Sequence, residues 1–190
     1  MNEADVLLKL EETGALLSGH FELRSGLHSD RYFQCANVLR FPRVAEVLCR
    51  ELAGRARAAI DASGVDAVIS PALGGILVGH ELARVLDLPS IFAEKQEGRL
   101  ALRRFRIESG ARYLVAEDVI TRGGRVQETI DLVRAGGGRV VAVAVLVDRS
   151  AGSAVFDVPA FSLLQLAPQT WAPGECPLCR RGVPSVHPGS

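Results

Sequence analysis

Apolar residues follow two rhythms along this chain. Near the start, Val6, Leu7 and Leu10 recur at helical spacing, and Gly14 offers a stop. Between Gly19 and Phe33 polar and apolar residues alternate, which predicts short strands. Pro42 to Ala62 returns to the helical rhythm and predicts a long amphipathic helix with its proline in the first turn. Beyond it, short apolar runs and helical stretches take turns. Val65–Ser70, Ser90–Ala93, Tyr113–Ala116, Val140–Val147 and Ala160–Leu166 read as strands, and Ile76–Leu86 and Val126–Ala135 as helices. Glu94–Ser109 is charged and has no clear apolar period, so much of it reads as loop. Strands alternating with helices predict an α/β fold, a mostly parallel sheet flanked by helices. Ligands of such sheets gather at the carboxyl ends of the strands, so the chemistry should lie there.

Composition narrows the function classes. The chain has 190 residues, 48% of them hydrophobic, enough for one compact domain with a sizeable core. Lys plus Arg and Asp plus Glu both number 22, so there is no basic excess for a nucleic acid. Any bound anion should be small and held locally. No apolar run reaches roughly 18 residues, so no membrane span is expected. Met1–Lys9 is polar and acidic, unlike a secretion leader. The four cysteines, Cys35, Cys49, Cys176 and Cys179, are too sparse for a disulfide framework and suit a reducing cytoplasm.

The densest chemical signal is the run from Tyr113 to Arg125, YLVAEDVITRGGR. A buried strand ends in the adjacent carboxylates Glu117 and Asp118. A loop with Thr121, Gly123 and Gly124 then enters a helix. Backbone N–H groups in a glycine loop at a helix N-terminus cradle a phosphate. The carboxylates would repel that phosphate and suit ribose hydroxyls instead, so the pattern fits a sugar phosphate. The plainer alternative makes Asp118 a helix cap and the glycines an ordinary turn. The run closely resembles the motif that binds 5-phosphoribosyl-1-pyrophosphate (PRPP) in type I phosphoribosyltransferases. Val119 and Ile120 separate the acidic pair from Thr121, as that motif requires. The resemblance implies that Glu117 and Asp118 hold the ribose 2′ and 3′ hydroxyls and that Thr121, Arg122, Gly123, Gly124 and Arg125 wrap the 5′-phosphate. Arg122 and Arg125 stand where small or hydroxyl residues are usual. Arg125 either contacts the phosphate or points outward.

Other segments take their meaning from that motif. Ser70-Pro71-Ala72-Leu73-Gly74-Gly75 again leads from a strand through glycines into a helix. It has no Gly-Lys-Ser/Thr sequel, so it is not a nucleotide P-loop. By the resemblance, Ala72, Leu73, Gly74 and Gly75 form the pyrophosphate loop. Phe21-Glu-Leu-Arg24-Ser25-Gly26, followed by Tyr32 and Phe33, resembles the N-terminal signature of orotate phosphoribosyltransferases. There Arg24 approaches the phosphates and Tyr32 or Phe33 lines the orotate ring; read alone, the segment is a polar hairpin with two core aromatics. Arg149 ends the Val140–Val147 strand, where its guanidinium can fork onto the orotate carboxylate, with Thr121 near the base. The resemblance spans Leu16–Ser150.

It also implies a small N-terminal hood over residues 1–40 on a single domain spanning 1–190, a homodimer, and Mg²⁺ held mainly by PRPP with no direct protein ligand. Lys95, Arg99, Arg103, Arg104 and Arg106 form either a solvated basic loop or a lid over pyrophosphate. Lys95 aligns with a phosphate-contacting lysine of the family, and Arg99 or Arg103 substitutes for a catalytic loop residue absent here. The tail, 168–190, is rich in Pro and Gly and carries Cys176-Pro-Leu-Cys179. That pair looks like half of a zinc knuckle. Zinc takes four ligands, and only His187 lies nearby in sequence, so a structural pair without metal is expected. Two rivals are a purine phosphoribosyltransferase, which would need no arginine such as Arg149, and a nucleic-acid-binding regulator on the same scaffold.

Overall fold

The structure is a computed structural model that describes residues 1–188; the last two residues of the predicted tail lie outside the described residues. Helix α1, Glu3–Glu12, opens with a capping box. Asn2 Oδ1 accepts the Asp5 N–H at 2.9 Å, and the Asp5 carboxylate accepts the Asn2 N–H at 3.0 Å. Strands β1 (Leu16–Glu22) and β2 (His28–Phe33) form an antiparallel hairpin. A short helix α2 (Ala36–Leu39) leads into α3 (Pro42–Ser63), whose Pro42 stands at its start.

The main sheet follows: β3 (Ala67–Pro71), α4 (Gly74–Leu86), β4 (Ser90–Gln96), β5 (Arg99–Ala101), β6 (Arg112–Ile120), α5 (Gly124–Ala135), β7 (Arg139–Asp148) and β8 (Ala160–Gln165). The strand order is β5-β4-β3-β6-β7-β8, parallel except for the β4–β5 hairpin. Alternate residues of each strand serve opposite layers. Val68, Leu114, Ala142 and Ala144 pack with Leu48, Leu52, Val78 and Leu82 of α3 and α4. Ile69, Val115, Val143 and Val145 pack with Val126, Ile130 and Val133 of α5. Burial on both faces explains why these strands read as continuous apolar runs.

The chain leaves β3 toward β4 on one side and returns to β6 on the other. The carboxyl ends of β3 and β6 therefore border the switch point, where an open parallel sheet leaves a crevice.

Three segments depart from expectation. Glu94–Ser109 is loop over Leu102–Ser109, as expected, but its first half is a hairpin: β4 continues to Gln96 and turns through Glu97 and Gly98 into β5, with Lys95 opposite Leu100. Between Glu94 and Ala101 this edge hairpin buries only Leu100, so no apolar period marks it. Strand β6 runs on through Glu117, Asp118, Val119 and Ile120, so the acidic pair lies inside the strand. The tail folds back as strand β9 (Thr170–Trp171), one 3₁₀ turn and helix α6 (Pro177–Arg180). Strand β9 joins the hairpin in a second sheet of order β1-β2-β9. Val186 closes it, donating its N–H to His20 at 2.8 Å and accepting from Glu22 at 2.9 Å. No helix among the described residues is long and apolar enough to cross a membrane.

Candidate active site

The turns that follow β3 and β6 face each other across the switch point. Two glycines let them approach. A Cβ on Gly74 would lie 2.4 Å from Asp118 Oδ2, and one on Gly75 would lie 2.8 Å from Glu117 Oε1. Only bare backbone fits between the Ala72–Gly75 turn and the acidic pair. Arg125, in the first turn of α5, spans the gap and donates from Nη1 to the Ala72 carbonyl at 2.9 Å. The guanidinium thus points across the crevice rather than outward.

The acidic pair is electrostatically tense. Glu117 is buried, and its Oε2 has no partner among the described atoms. Its Oε1 accepts the Asp118 N–H at 3.1 Å, and Asp118 Oδ1 accepts the Val119 N–H at 2.8 Å. Burial first, then the neighbouring Asp118 carboxylate, pushes the Glu117 carboxyl well above the usual range.

A cavity of about 70 Å³ is lined by Glu117, Val119, Ile120, Thr121, Gly123, Gly124 and Arg125. Gly123 holds φ +77°, and Thr121 and Gly124 are exposed beside it. A wider groove of about 530 Å³ continues past Arg125 and is lined by Ala72, Leu73, Gly74, Glu94 and Lys95. The predicted phosphate loop, pyrophosphate loop and Lys95 thus border one continuous surface.

The hood hairpin meets the end of β7 beside that surface. Arg149, whose N–H donates to the Ile120 carbonyl at 2.8 Å, places its guanidinium carbon 5.2 Å from the Phe33 ring centroid. Its Nε is buried without a partner, and no carboxylate of the described residues pairs with it. Burial lowers its proton affinity. Tyr32 is half-buried next to Phe33, and its ring centroid lies 5.7 Å from that of Phe21. An oriented cation without a counter-ion, bordered by aromatic rings, is a receptor for a planar anion.

The phosphoribosyl transferase domain family matches residues 42–178 of the chain. An orotate phosphoribosyltransferase from Desulforamulus reducens is 50% identical over 191 aligned residues, covering 100% of this chain and 98% of that protein. The chain belongs to the orotate phosphoribosyltransferase family. A second relative of that name, from Carboxydothermus hydrogenoformans, is 50% identical over 94% of this chain and 93% of its own. Among solved structures, the orotate phosphoribosyltransferase of Aeropyrum pernix superposes with a TM-score of 0.71 at 27% identity, covering 85% of this chain and 93% of that one. This is the family whose motif the Tyr113–Arg125 run resembles.

Not every predicted residue lies on the common surface. Arg122 is turned to the far side of its loop, against Ser153–Phe156. Arg24 sits exposed in the β1–β2 turn, and Arg99 and Arg103 are exposed on and beyond β5, outside the residues that line the groove. Arg104 pairs with Glu94 and lies 6.0 Å from the Phe92 ring centroid. Cys35, counted in the sequence only as one of four sparse cysteines, adjoins the site. It is buried between Asp118 and Arg149, 3.9 Å from the Asp118 carbonyl, and burial pushes its thiol far up. A lone cysteine after two aromatics carries no pattern that would have marked it. The view of Cys176 and Cys179 as lacking further ligands is overturned. His20 and His28 adjoin them, whereas the sequence neighbour His187 is exposed and outside the group.

Proposed function

We propose that this chain transfers the phosphoribosyl group of PRPP to N1 of orotate, forming orotidine 5′-monophosphate and pyrophosphate in pyrimidine (UMP) synthesis. The observation that carries the choice of base is Arg149, a half-buried guanidinium with an unpartnered donor over Phe33. Orotate offers what it lacks, a planar ring bearing a carboxylate. Tyr32 and Phe33 line the ring, and Thr121 borders it from the phosphate loop.

The other roles follow from placement. Asp118 and Glu117 bind the ribose hydroxyls, and Thr121, Gly123, Gly124 and Arg125 hold the 5′-phosphate. Burial and the adjacent Asp118 raise the proton affinity of Glu117, which lessens the negative charge the pair turns toward the phosphates. Ala72–Gly75, Lys95 and Arg125 flank the groove where pyrophosphate departs, and Arg24, Arg99 and Arg103 would reach it on closure, from the β1–β2 turn, from β5 and from the loop after β5. Reaction joins N1 to the ribose C1 while the bond from C1 to pyrophosphate oxygen breaks, and N1 gives up its proton. The transition state resembles an oxocarbenium ion, so the protein contributes position and charge stabilisation, not a nucleophile. Mg²⁺ fits this acceptor-rich site: it would sit near Asp118, with PRPP oxygens supplying most of its ligands. When bound, the ion offsets charge building on pyrophosphate.

A homodimer working in the cytoplasm completes the proposal, drawn from the family resemblance and open to light scattering and cell fractionation. The decisive experiment is PRPP-dependent pyrophosphate release with orotate, adenine, guanine or hypoxanthine as acceptor. Release with orotate alone supports the reading. Release with a purine and none with orotate would transfer it to the purine enzymes of the same scaffold.

A further inference from the structure

The second sheet brings four ligand-type side chains together away from the crevice. His20 lies on β1 at a bulge between Ser18 and Phe21, and His28 opens β2 opposite Glu22. Cys176 and Cys179 flank the first turn of α6. The candidate ligand atoms of all four lie within 4.8 Å of one another. His20 Nε2 is 2.7 Å from His28 Nδ1, 3.5 Å from Cys176 Sγ and 3.7 Å from Cys179 Sγ, and His28 Nδ1 is 3.2 Å from Cys179 Sγ.

We propose that His20, His28, Cys176 and Cys179 bind one structural Zn²⁺ that clamps the C-terminal segment onto the hood hairpin. With Zn–N of about 2.0–2.1 Å and Zn–S of about 2.3 Å, a tetrahedral site has ligand–ligand edges of roughly 3.3–3.8 Å. The distances here, from 2.7 Å between the imidazole nitrogens to no more than 4.8 Å, bracket that range, so a metal ion would need the closest pair to open and the widest to close. The tautomer is already set. His20 Nδ1 lies 2.7 Å from the Val183 carbonyl, which can only accept, so Nδ1 carries the hydrogen and Nε2 turns a lone pair inward. Two thiolates balance the dication and two neutral imidazoles complete the shell; binding releases the two thiol protons. His20, His28 and Cys176 are buried, and all four positions are filled by protein. A closed shell leaves no place for substrate, so the metal is structural.

Metal content tests this. Protein purified without chelators is expected to hold about one zinc per chain, released when a mercurial titrates the thiols. Cobalt(II) added to metal-free, reduced protein should give the intense d–d bands of a tetrahedral site and thiolate-to-cobalt charge transfer. Cys179→Ser changes the one exposed ligand, and so is the gentlest substitution. It should weaken zinc binding by about tenfold or more and reduce the charge-transfer band. His187→Ala should leave both intact. Removal of zinc should lower the melting temperature, and its return should restore it. The proposal is overturned by protein free of zinc after zinc-supplemented growth together with a cobalt form lacking thiolate bands. Stoichiometric iron or copper in place of zinc, or a Cys176–Cys179 disulfide in the intact mass, would overturn it equally. None of these readouts uses orotate or PRPP, so they stand or fall apart from the assignment of the reaction.

Discussion

Arg149 offers a clean separation of binding from folding. Its guanidinium is half-buried, its Nε lacks a partner, and the nearest aromatic face, Phe33, lies 5.2 Å away. A charge-assisted hydrogen bond contributes roughly 1.5–3 kcal/mol. A forked pair would double that in a dry site, but a half-open one returns much of it to water. The net loss on truncation is therefore about 1.4–3 kcal/mol, a rise of roughly 10- to 150-fold in the KM for orotate. The same arginine contributes little to the empty protein, because its unpaired charge has given up water without compensation. Arg149→Met, which keeps the stem and the packing on Phe33, should raise the orotate KM by that factor. It should leave the KM for PRPP within about twofold and the ligand-free melting temperature unchanged or higher. Arg149→Lys should recover only part, because a point charge lacks the fork. Steady-state kinetics with each substrate varied in turn, beside thermal unfolding, gives all three quantities. An unchanged orotate KM, or an equal rise for PRPP, would refute the reasoning.

Three further outcomes follow from the crevice. Glu117 holds its proton more tightly folded than unfolded, so its contribution to stability is full below the ordinary glutamate pKa and fades as pH rises toward its elevated folded value. Denaturant titrations should show Glu117→Gln losing less stability than the parent between pH 5 and pH 9, by up to about 1.4 kcal/mol per pH unit; parallel curves would deny the raised pKa. Gly74→Ala places a methyl 2.4 Å from Asp118 Oδ2 and should raise the KM for PRPP about tenfold or more with little effect on orotate, whereas unaltered PRPP kinetics would mean that the turn yields freely. In hydrogen exchange, the Glu97–Gly98 turn and Arg103–Arg106 should exchange fast and slow down with PRPP, Mg²⁺ and orotate, while the Leu100 amide, bonded to Glu128 Oε1 at 2.6 Å, stays protected throughout; equal exchange with and without ligands would remove the lid.

The crevice was legible because its determinants are local. Glu117, Asp118, Thr121 and the two glycines lie within eight residues, and a strand, a turn and a helix start bring them together whatever the rest of the chain does. Arg149 was reachable because parallel strands end on one rim. Ser90–Ala93 was legible as a strand, but its continuation to Gln96 and the return in β5 were hidden, because Leu100 alone is buried there and leaves almost no period. His28 and Cys179 are 151 residues apart, and the return of the tail, with β9 on β2 and Val186 on β1, makes them neighbours. Searching for ligands along the sequence finds His187, which the fold leaves outside the group. Arg125 was ambiguous for a different reason. Its direction depends on the Ala72 carbonyl, presented by a turn some fifty positions earlier.

The order β1-β2-β9 also bears on how the molecule is made. Strands β1 and β2 emerge early from the ribosome, but their third strand is encoded near Thr170, after every strand of the main sheet. Until then β2 presents a free edge, an invitation to pair with another chain. The parallel core can assemble on the nascent chain without the tail. The hairpin that carries Tyr32 and Phe33 gains its third strand only when synthesis is nearly finished. The second sheet is therefore the last part of the protein to mature, and a chain stalled between Gln165 and Thr170 would have its complete main sheet beside an unclosed hairpin.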